Sequence, residues 1–294
     1  MRRPAQLPSR VRRARRYPPH RGLKPTHPTR ASDQQYCGPI CVLHSIRKEF
    51  TIHGHDSTLT SANPQESLRD KAFALMNRDD FDLTQADLDV LSNLYDRELE
   101  PDNWLPEGQR YRERAYQCFD LEVAGLSWTP IAEPAPYRQS MAVNRVAGGI
   151  ERRFAVIPVD HPATAIAARV AMSVARVLLG ADVLDTERHP RCLVDVHYIR
   201  ITAPGKPCPE GMHRDGLLAG SAHLLRRNNI TGDISELYDN VDSENPLHSG
   251  RLTDPMDSFV FHDSRVRHFT RDIERENPTA PGFRDALLIG FRTQ

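Results

Sequence analysis

The clearest periodic stretch in the chain is PATAIAARVAMSVARVLLG, residues 162–180, where apolar positions recur every three or four residues. A proline stands near its start and a glycine at its end. That spacing and punctuation predict a long helix whose apolar face belongs to a core. Three shorter stretches of the same period precede it, at about 34–50, 65–76 and 85–99, the last with a threonine cap candidate ahead of its apolar residues. After Gly180 the period drops to two. Residues 193–202, 256–263, 265–273 and 284–293 read as strands separated by Gly, Pro and Asn turns. Residues 151–159 are a further strand candidate, and 104–121 an irregular entry into one. Helices first and strands afterwards argue against a doubly wound fold. Neither GxGxxG nor GxxxxGK[ST] occurs, so a nucleotide-phosphate loop is unsupported. The pattern predicts an α+β protein: a helical region over 31–100, then a sheet over 101–294 that curls into a barrel or jelly roll, with 162–180 as its supporting helix.

Composition changes this picture mainly at the N-terminus. A 294-residue chain with 39% hydrophobic and 27% charged residues can bury a large core. Its formal net charge of zero conceals nine arginines and one lysine within residues 1–30, which contain no acid and many prolines. That segment reads as a disordered basic tail. Arginine without acid also suits a mitochondrial-type targeting segment, and a misassigned start is an equal alternative; the pattern of a secretory signal is missing. No stretch approaches the roughly 20 apolar residues of a membrane span. The five cysteines, at 37, 41, 118, 192 and 208, form no second close pair beside Cys37 and Cys41, so they read as thiols of a reducing compartment. The expected setting is cytoplasmic, with no specific nucleic-acid partner, no membrane and a possible homodimer.

Candidate chemistry centres on PEGMHRDG, residues 209–216. On an extended segment, positions i and i+2 point the same way. His213 and Asp215 therefore present an imidazole and a carboxylate to one point, or else shape a polar, glycine-rich turn. His53, His55 and Asp56 form a rival cluster in a polar loop. His262 and Asp263 are adjacent and should face opposite sides of a strand. His268 sits on a strand and is a rigid mount for a distant ligand. His213, Asp215 and His268 together make the two-histidine, one-carboxylate set that holds one face of Fe(II) and leaves three positions open.

Beyond this set, the sequence resembles the Fe(II)/2-oxoglutarate-dependent dioxygenases, within them the bacterial free amino acid hydroxylases that include L-isoleucine 4-hydroxylase. The likeness runs in order through RYRERAYQCF (110–119), YRQSMAVNRVAGGIERRFAVI (137–157), VDVHYIRI (194–201), KPCPEGMHRDG (206–216), LLRRNNITGDISELYD (224–239), FHDSRVRHFTRDI (261–273) and RDALLIGF (284–291). It covers about residues 104–293. PEGxHxDG followed by RVxHxxxxI and RDxLxxxF is its specific part.

The resemblance implies a double-stranded β-helix, or cupin-like jelly roll, with His213, Asp215 and His268 on the iron. It implies that Arg284 binds the far carboxylate of 2-oxoglutarate, a task suited to a planar guanidinium. Arg292 is the rival, since it shares strand parity with Arg284. For the substrate side it points to Arg227 and Asn228, or the neighbouring Arg226 and Asn229, followed by NITGD where the family carries a second glycine. Arg226 and Arg227 are also the candidates for a substrate carboxylate. Gln139 and Asn144 match a Q…N stretch and are pocket candidates. His197 either lines the pocket or is a satisfied core histidine. Glu210 either orients a ligand or is a surface carboxylate. The implied function is oxidation, chiefly C–H hydroxylation, of a free aliphatic amino acid with Fe(II), 2-oxoglutarate and O2. Desaturation, cyclisation and a non-catalytic cupin-like binding module are the alternatives.

Overall fold

A computed structural model describes residues 60–294 apart from 145 and 243. The basic segment 1–30, the helix expected at 34–50, Cys37, Cys41 and the His53–His55–Asp56 cluster lie outside the described residues. The first elements are α1 (Pro64–Lys71), β1 (Phe73–Met76), α2 (Gln85–Arg97), β2 (Glu100–Pro101), β3 (Arg112–Glu122), β4 (Ser127–Pro130) and β5 (Ala155–Val156). The long helix α3 (Pro162–Gly180) is followed by β6 (Arg191–Thr202), β7 (Ala219–Asn228), β8 (Ile230–Gly232), β9 (Ser235–Asp239) and β10 (Pro246–Gly250). The chain closes with β11 (Ser258–Phe261), β12 (Val266–Thr270), β13 (Ile273–Arg275) and β14 (Phe283–Thr293).

The jelly roll consists of a large sheet in the order β1-β11-β7-β14-β6-β3-β2 and a small one in the order β10-β9-β12. Alternation divides the large sheet into two working faces. Val194, Val196 and Tyr198 of β6 and Leu287, Ile289 and Phe291 of β14 point back and join the largest apolar core with α2 and α3. His197, Ile199 and Ile201 point forward with Arg284, Ala286 and Leu288, and these line a cavity. The helices thus pack on the back of the large sheet, and its front is left for chemistry.

Local chemistry explains the helix boundaries. Pro162 opens α3 and the His161 ring accepts the Ala163 N–H at 3.1 Å. An 18-residue window of α3 reaches a mean hydropathy of 1.5, the range of a membrane span. The expectation that no stretch comes near that range is therefore corrected. Here the apolar face, from Ala163 to Leu178, is spent on the core. Thr84 and Asp87 form a capping box at the start of α2. The helix expected over 65–76 is only half helical. Ala72 adopts a left-handed φ of 67°, and Phe73–Met76 pairs antiparallel with β11. Long-range pairing overrides helical period in so short a run.

Candidate metal centre and active-site cavity

The HRD segment reaches the small sheet through one bridge. His213 N–H donates to the His268 carbonyl at 3.1 Å, and His268 N–H donates back at 2.9 Å. Directly opposed residues of an antiparallel pair put their side chains on the same face. The two imidazoles accordingly lie with ring centroids 4.4 Å apart. The Asp215 carboxylate completes the group: Oδ1 is 3.5 Å from His213 Nε2 and Oδ2 is 3.6 Å from His268 Nε2. One donor atom from each residue lies within 4.8 Å of the other two. His213 Nδ1 is 2.8 Å from the Gly211 carbonyl, which fixes that nitrogen as the N–H and leaves Nε2 as the free donor. Two nitrogens and one carboxylate oxygen at this spacing fit a divalent iron.

The loop is built to hold this geometry. Gly211 and Gly216 have φ of 77° and 75°, the left-handed region that glycine reaches without strain. Space is also short at Gly216, where a Cβ would lie 2.7 Å from Val143, whereas nothing crowds Gly211. The fully buried Asp263 carboxylate accepts the N–H groups of Asp215, Gly216 and Leu217 at 2.8, 2.9 and 3.0 Å. Gln139 Nε2 donates to the Asp215 carbonyl at 3.1 Å from the other side. Asp263 is thus an anchor for the ligand loop, not a ligand. Asp263→Ala should lower stability by about 1–3 kcal/mol, because three partly buried loop N–H groups lose their acceptor. Metal affinity should fall about 10–100-fold, the usual effect of losing a ligand's support. Thermal melting and metal titration check both effects, and an unchanged metal affinity would refute the anchoring role.

Without a metal the three ligands are strongly coupled. Burial opposes a charge on His213, but the carboxylates of Asp215 and Glu210, at 3.5 and 3.6 Å, push its imidazole up to about 9. Burial and the neighbouring His213 push His268 down to about 4. Burial also works against the Asp215 charge, yet the two imidazoles hold its carboxyl well below the usual range. A cation entering the site therefore meets a ready carboxylate and a neutral His268, and displaces a proton from His213.

Arg284 opens onto the same cavity from β14. It is 5% exposed, its Nε has no partner, and it donates no hydrogen bond among the described residues. Burial lowers its pKa. A guanidinium kept dry and unspent in a cavity is a site for an anion.

The model of the family described as 2OG-Fe dioxygenase matches residues 94–290. The chain belongs to this family. It is a non-haem iron dioxygenase that uses Fe(II) and 2-oxoglutarate. Among solved structures it is similar to a bsmA homologue from Methylobium petroleophilum PM1, at 21% identity and a TM-score of 0.67, over 79% of this chain and 92% of that one. IDO from Bacillus thuringiensis is similar at 18% identity and a TM-score of 0.63, over 79% and 94% of the two chains. The Fe(II)/α-ketoglutarate-dependent dioxygenase TqaL is similar at 16% identity and a TM-score of 0.60, over 78% and 85%. These likenesses establish the fold. No curated protein sequence matches the chain.

The dioxygenase cavity receives His197, Gln139, Asn144 and Glu210. His197 is buried between Tyr116 and Tyr137, whose ring centroids lie 4.9 and 4.8 Å away, and burial holds its pKa well below the ordinary value. Gln139 Oε1 accepts from Asn144 at 3.1 Å and from Arg152 at 2.6 Å. Four other expected residues are placed elsewhere. Arg226 turns to the back of the sheet and binds Asp285 and Asp96. A bulge at Leu225, opposite the Asp285–Ala286 step, moves it there. Arg227 is tied to Asp233 at 3.1 Å, and Asp233, at φ 50°, occupies the turn position of the missing glycine. Asn228 donates to the Pro281 carbonyl, away from the cavity. Arg292 is on the front face, but it binds the buried Asp195 at 2.6 Å and is no free clamp.

Three cavity arginines were not among the expected site residues: Arg112, Arg114 and Arg152. A signal for the first two was present. In RYRERAY the arginines at 112 and 114 are spaced by two, so a strand puts both on one face.

Proposed function

We propose that His213, Asp215 and His268 hold Fe(II), that Arg284 grips the far carboxylate of 2-oxoglutarate, and that the substrate is a free aliphatic amino acid hydroxylated on a side-chain carbon. The observation that carries this reading is the convergence on one cavity of a compact His-Asp-His donor set and a buried arginine with no protein partner. A plain metal store has no use for such a guanidinium. Fe(II) and 2-oxoglutarate held there would let O2 act as the oxidant, one of its oxygen atoms ending in succinate as 2-oxoglutarate loses CO2 and the other in the hydroxylated product.

The protein supplies position and shielding. The apolar part of the cavity, Ile199, Ile201, Ala222 and Leu288, suits an aliphatic side chain. The cavity encloses about 150 Å³, room for roughly ten waters. That accommodates a co-substrate and a small molecule. The ordered run of segments shared with free amino acid hydroxylases supports an amino acid as that molecule.

The test is mass spectrometry of the full chain incubated with Fe(II), ascorbate, 2-oxoglutarate and the twenty amino acids. The expected product is an aliphatic amino acid carrying one added oxygen, formed together with succinate. A product short of two hydrogens would instead assign desaturation or cyclisation. Succinate formation that no amino acid stimulates would overturn the amino acid assignment.

A further inference from the structure

The cavity contains a second buried arginine with unspent donors, and it belongs to a different strand. Arg114 is 9% exposed, its Nε has no partner, and it donates no hydrogen bond among the described residues. The Asp102 carboxylate lies 3.8 Å from it but spends its close contact, 2.7 Å, on Arg112. The Arg114 guanidinium lies over the Phe154 ring, its Cζ 4.6 Å from the ring centroid. Arg152 stands beside it, over the Tyr137 ring at 5.0 Å and also near Phe154. It is 4% exposed and its Nε is likewise without a partner. The arginines on the back of the same sheet behave differently: Arg200 and Arg226 each bind two carboxylates. Among the cavity arginines, Arg112 is spent on Asp102 and Arg152 gives one donor to Gln139, whereas the Arg114 and Arg284 side chains donate no hydrogen bond among the described residues.

Sheet register separates this pair from the co-substrate clamp. Arg284 is opposite Ile201, and Ile201 is opposite Arg112; Arg114 falls in the next forward-facing row. Arg284 and Arg114 therefore stand two strand spacings and one two-residue row apart, about 12 Å, on one face. One carboxylate cannot engage both as a fork. We propose that Arg114 and Arg152 form a second anion subsite that takes the carboxylate of the substrate, resting on the reading of this cavity as the oxygenase site. Gln139 links the subsite to the metal loop, since its side chain accepts from Arg152 and donates to the Asp215 carbonyl. Burial together with the Arg112 charge lowers Arg114 to about 10, and burial lowers Arg152, as expected of cations that lack an anion. The substrate class is a small carboxylic acid, held by its carboxylate so that its apolar part meets the forward face of the sheet.

The test uses the full chain loaded anaerobically with Fe(II) and 2-oxoglutarate, so that binding is read without turnover. Calorimetry screens the twenty amino acids and simple aliphatic monocarboxylates, then compares the tightest binder with its primary amide. In the wild-type protein the carboxylate should bind at least about tenfold more tightly than the amide, the value of a charge-assisted hydrogen bond. Arg114→Met should weaken the carboxylate about 30-fold and Arg152→Met about tenfold, with the affinity for 2-oxoglutarate shifting less than about threefold. The wild-type comparison of acid with amide holds even if a variant fails to fold. Equal binding of acid and amide, or no carboxylate binding at all, overturns the subsite. So does an Arg114→Met protein that loses 2-oxoglutarate and keeps the second ligand. Wild-type protein that fails to bind 2-oxoglutarate overturns the oxygenase reading of the cavity, and the subsite with it. Normal 2-oxoglutarate binding with a carboxylate indifferent to both substitutions removes the subsite alone.

Discussion

Asp215→Ala is expected to abolish succinate formation, at least about a hundredfold, while leaving the fold in place. Losing a residue that merely supports a ligand costs about 10–100-fold in affinity or activity, and Asp215 is the only anionic member of the donor set. Two neutral imidazoles are a poor site for a dication in a buried cavity. The loop itself should survive, because it is held through backbone atoms: Asp215 N–H on Asp263 and the Asp215 carbonyl on Gln139. The Asp215 side chain contributes only its contacts to the two histidines. Iron titration, succinate assay and thermal melting of the same preparation separate the possibilities. A variant that binds iron normally, or that keeps more than a tenth of its turnover, would show that the metal is held elsewhere. A variant that melts far below the wild type would show that the side chain is structural.

This separation of backbone and side-chain roles explains why some of the site was legible in the sequence and some was not. His213 and Asp215 are two apart on an extended segment, so their common direction follows from chain geometry alone. His268 lies more than fifty residues away, and strand period only made it a candidate. The resemblance to a known family singled it out. The jelly roll was legible where strands alternate strongly, as in β6 and β14. It was illegible in β7, whose opening AGSAH has small and polar residues of low strand preference that only the neighbouring strands hold extended. The arginines were the hardest part. Sequence parity placed Arg284 and Arg292 on one face, which the structure bears out, but parity cannot show that Asp195 is waiting for one of them. Nor can it show the bulge that sends Arg226 to the back, or Asp233 reaching Arg227. The anchor Asp263 was passed over because the sequence weighed it only as a chelating partner of the adjacent His262, which faces the other way, and its role exists only across a 48-residue separation.

The two rival arginines of β14 should respond in opposite ways when each is changed to methionine. Arg284→Met should raise the Kd for 2-oxoglutarate about 100-fold, which corresponds to about 3 kcal/mol and to the loss of a two-bond fork on a carboxylate. The same substitution should leave the ligand-free protein as stable as before, or more so. It removes a buried cation whose Nε has no partner and replaces it with an apolar chain of similar reach. Arg292→Met should do the reverse. It strips the partner from Asp195, a carboxylate 1% exposed whose other contact is the Tyr116 hydroxyl at 2.5 Å. Leaving a buried carboxylate unpaired costs about 3–5 kcal/mol in full burial; Arg292 is one-third exposed, so about 2–3 kcal/mol is expected. Its effect on 2-oxoglutarate should stay within about threefold, since the fork on Arg284 is intact. Anaerobic calorimetry with Fe(II) reads the affinities, and denaturant unfolding of the metal-free proteins reads the stabilities. If Arg292→Met loses the co-substrate and Arg284→Met keeps it, the clamp has been assigned to the wrong end of the strand. If Arg284→Met instead destabilises the ligand-free protein by several kcal/mol, its guanidinium serves the fold, and the anion that it awaits is not a ligand.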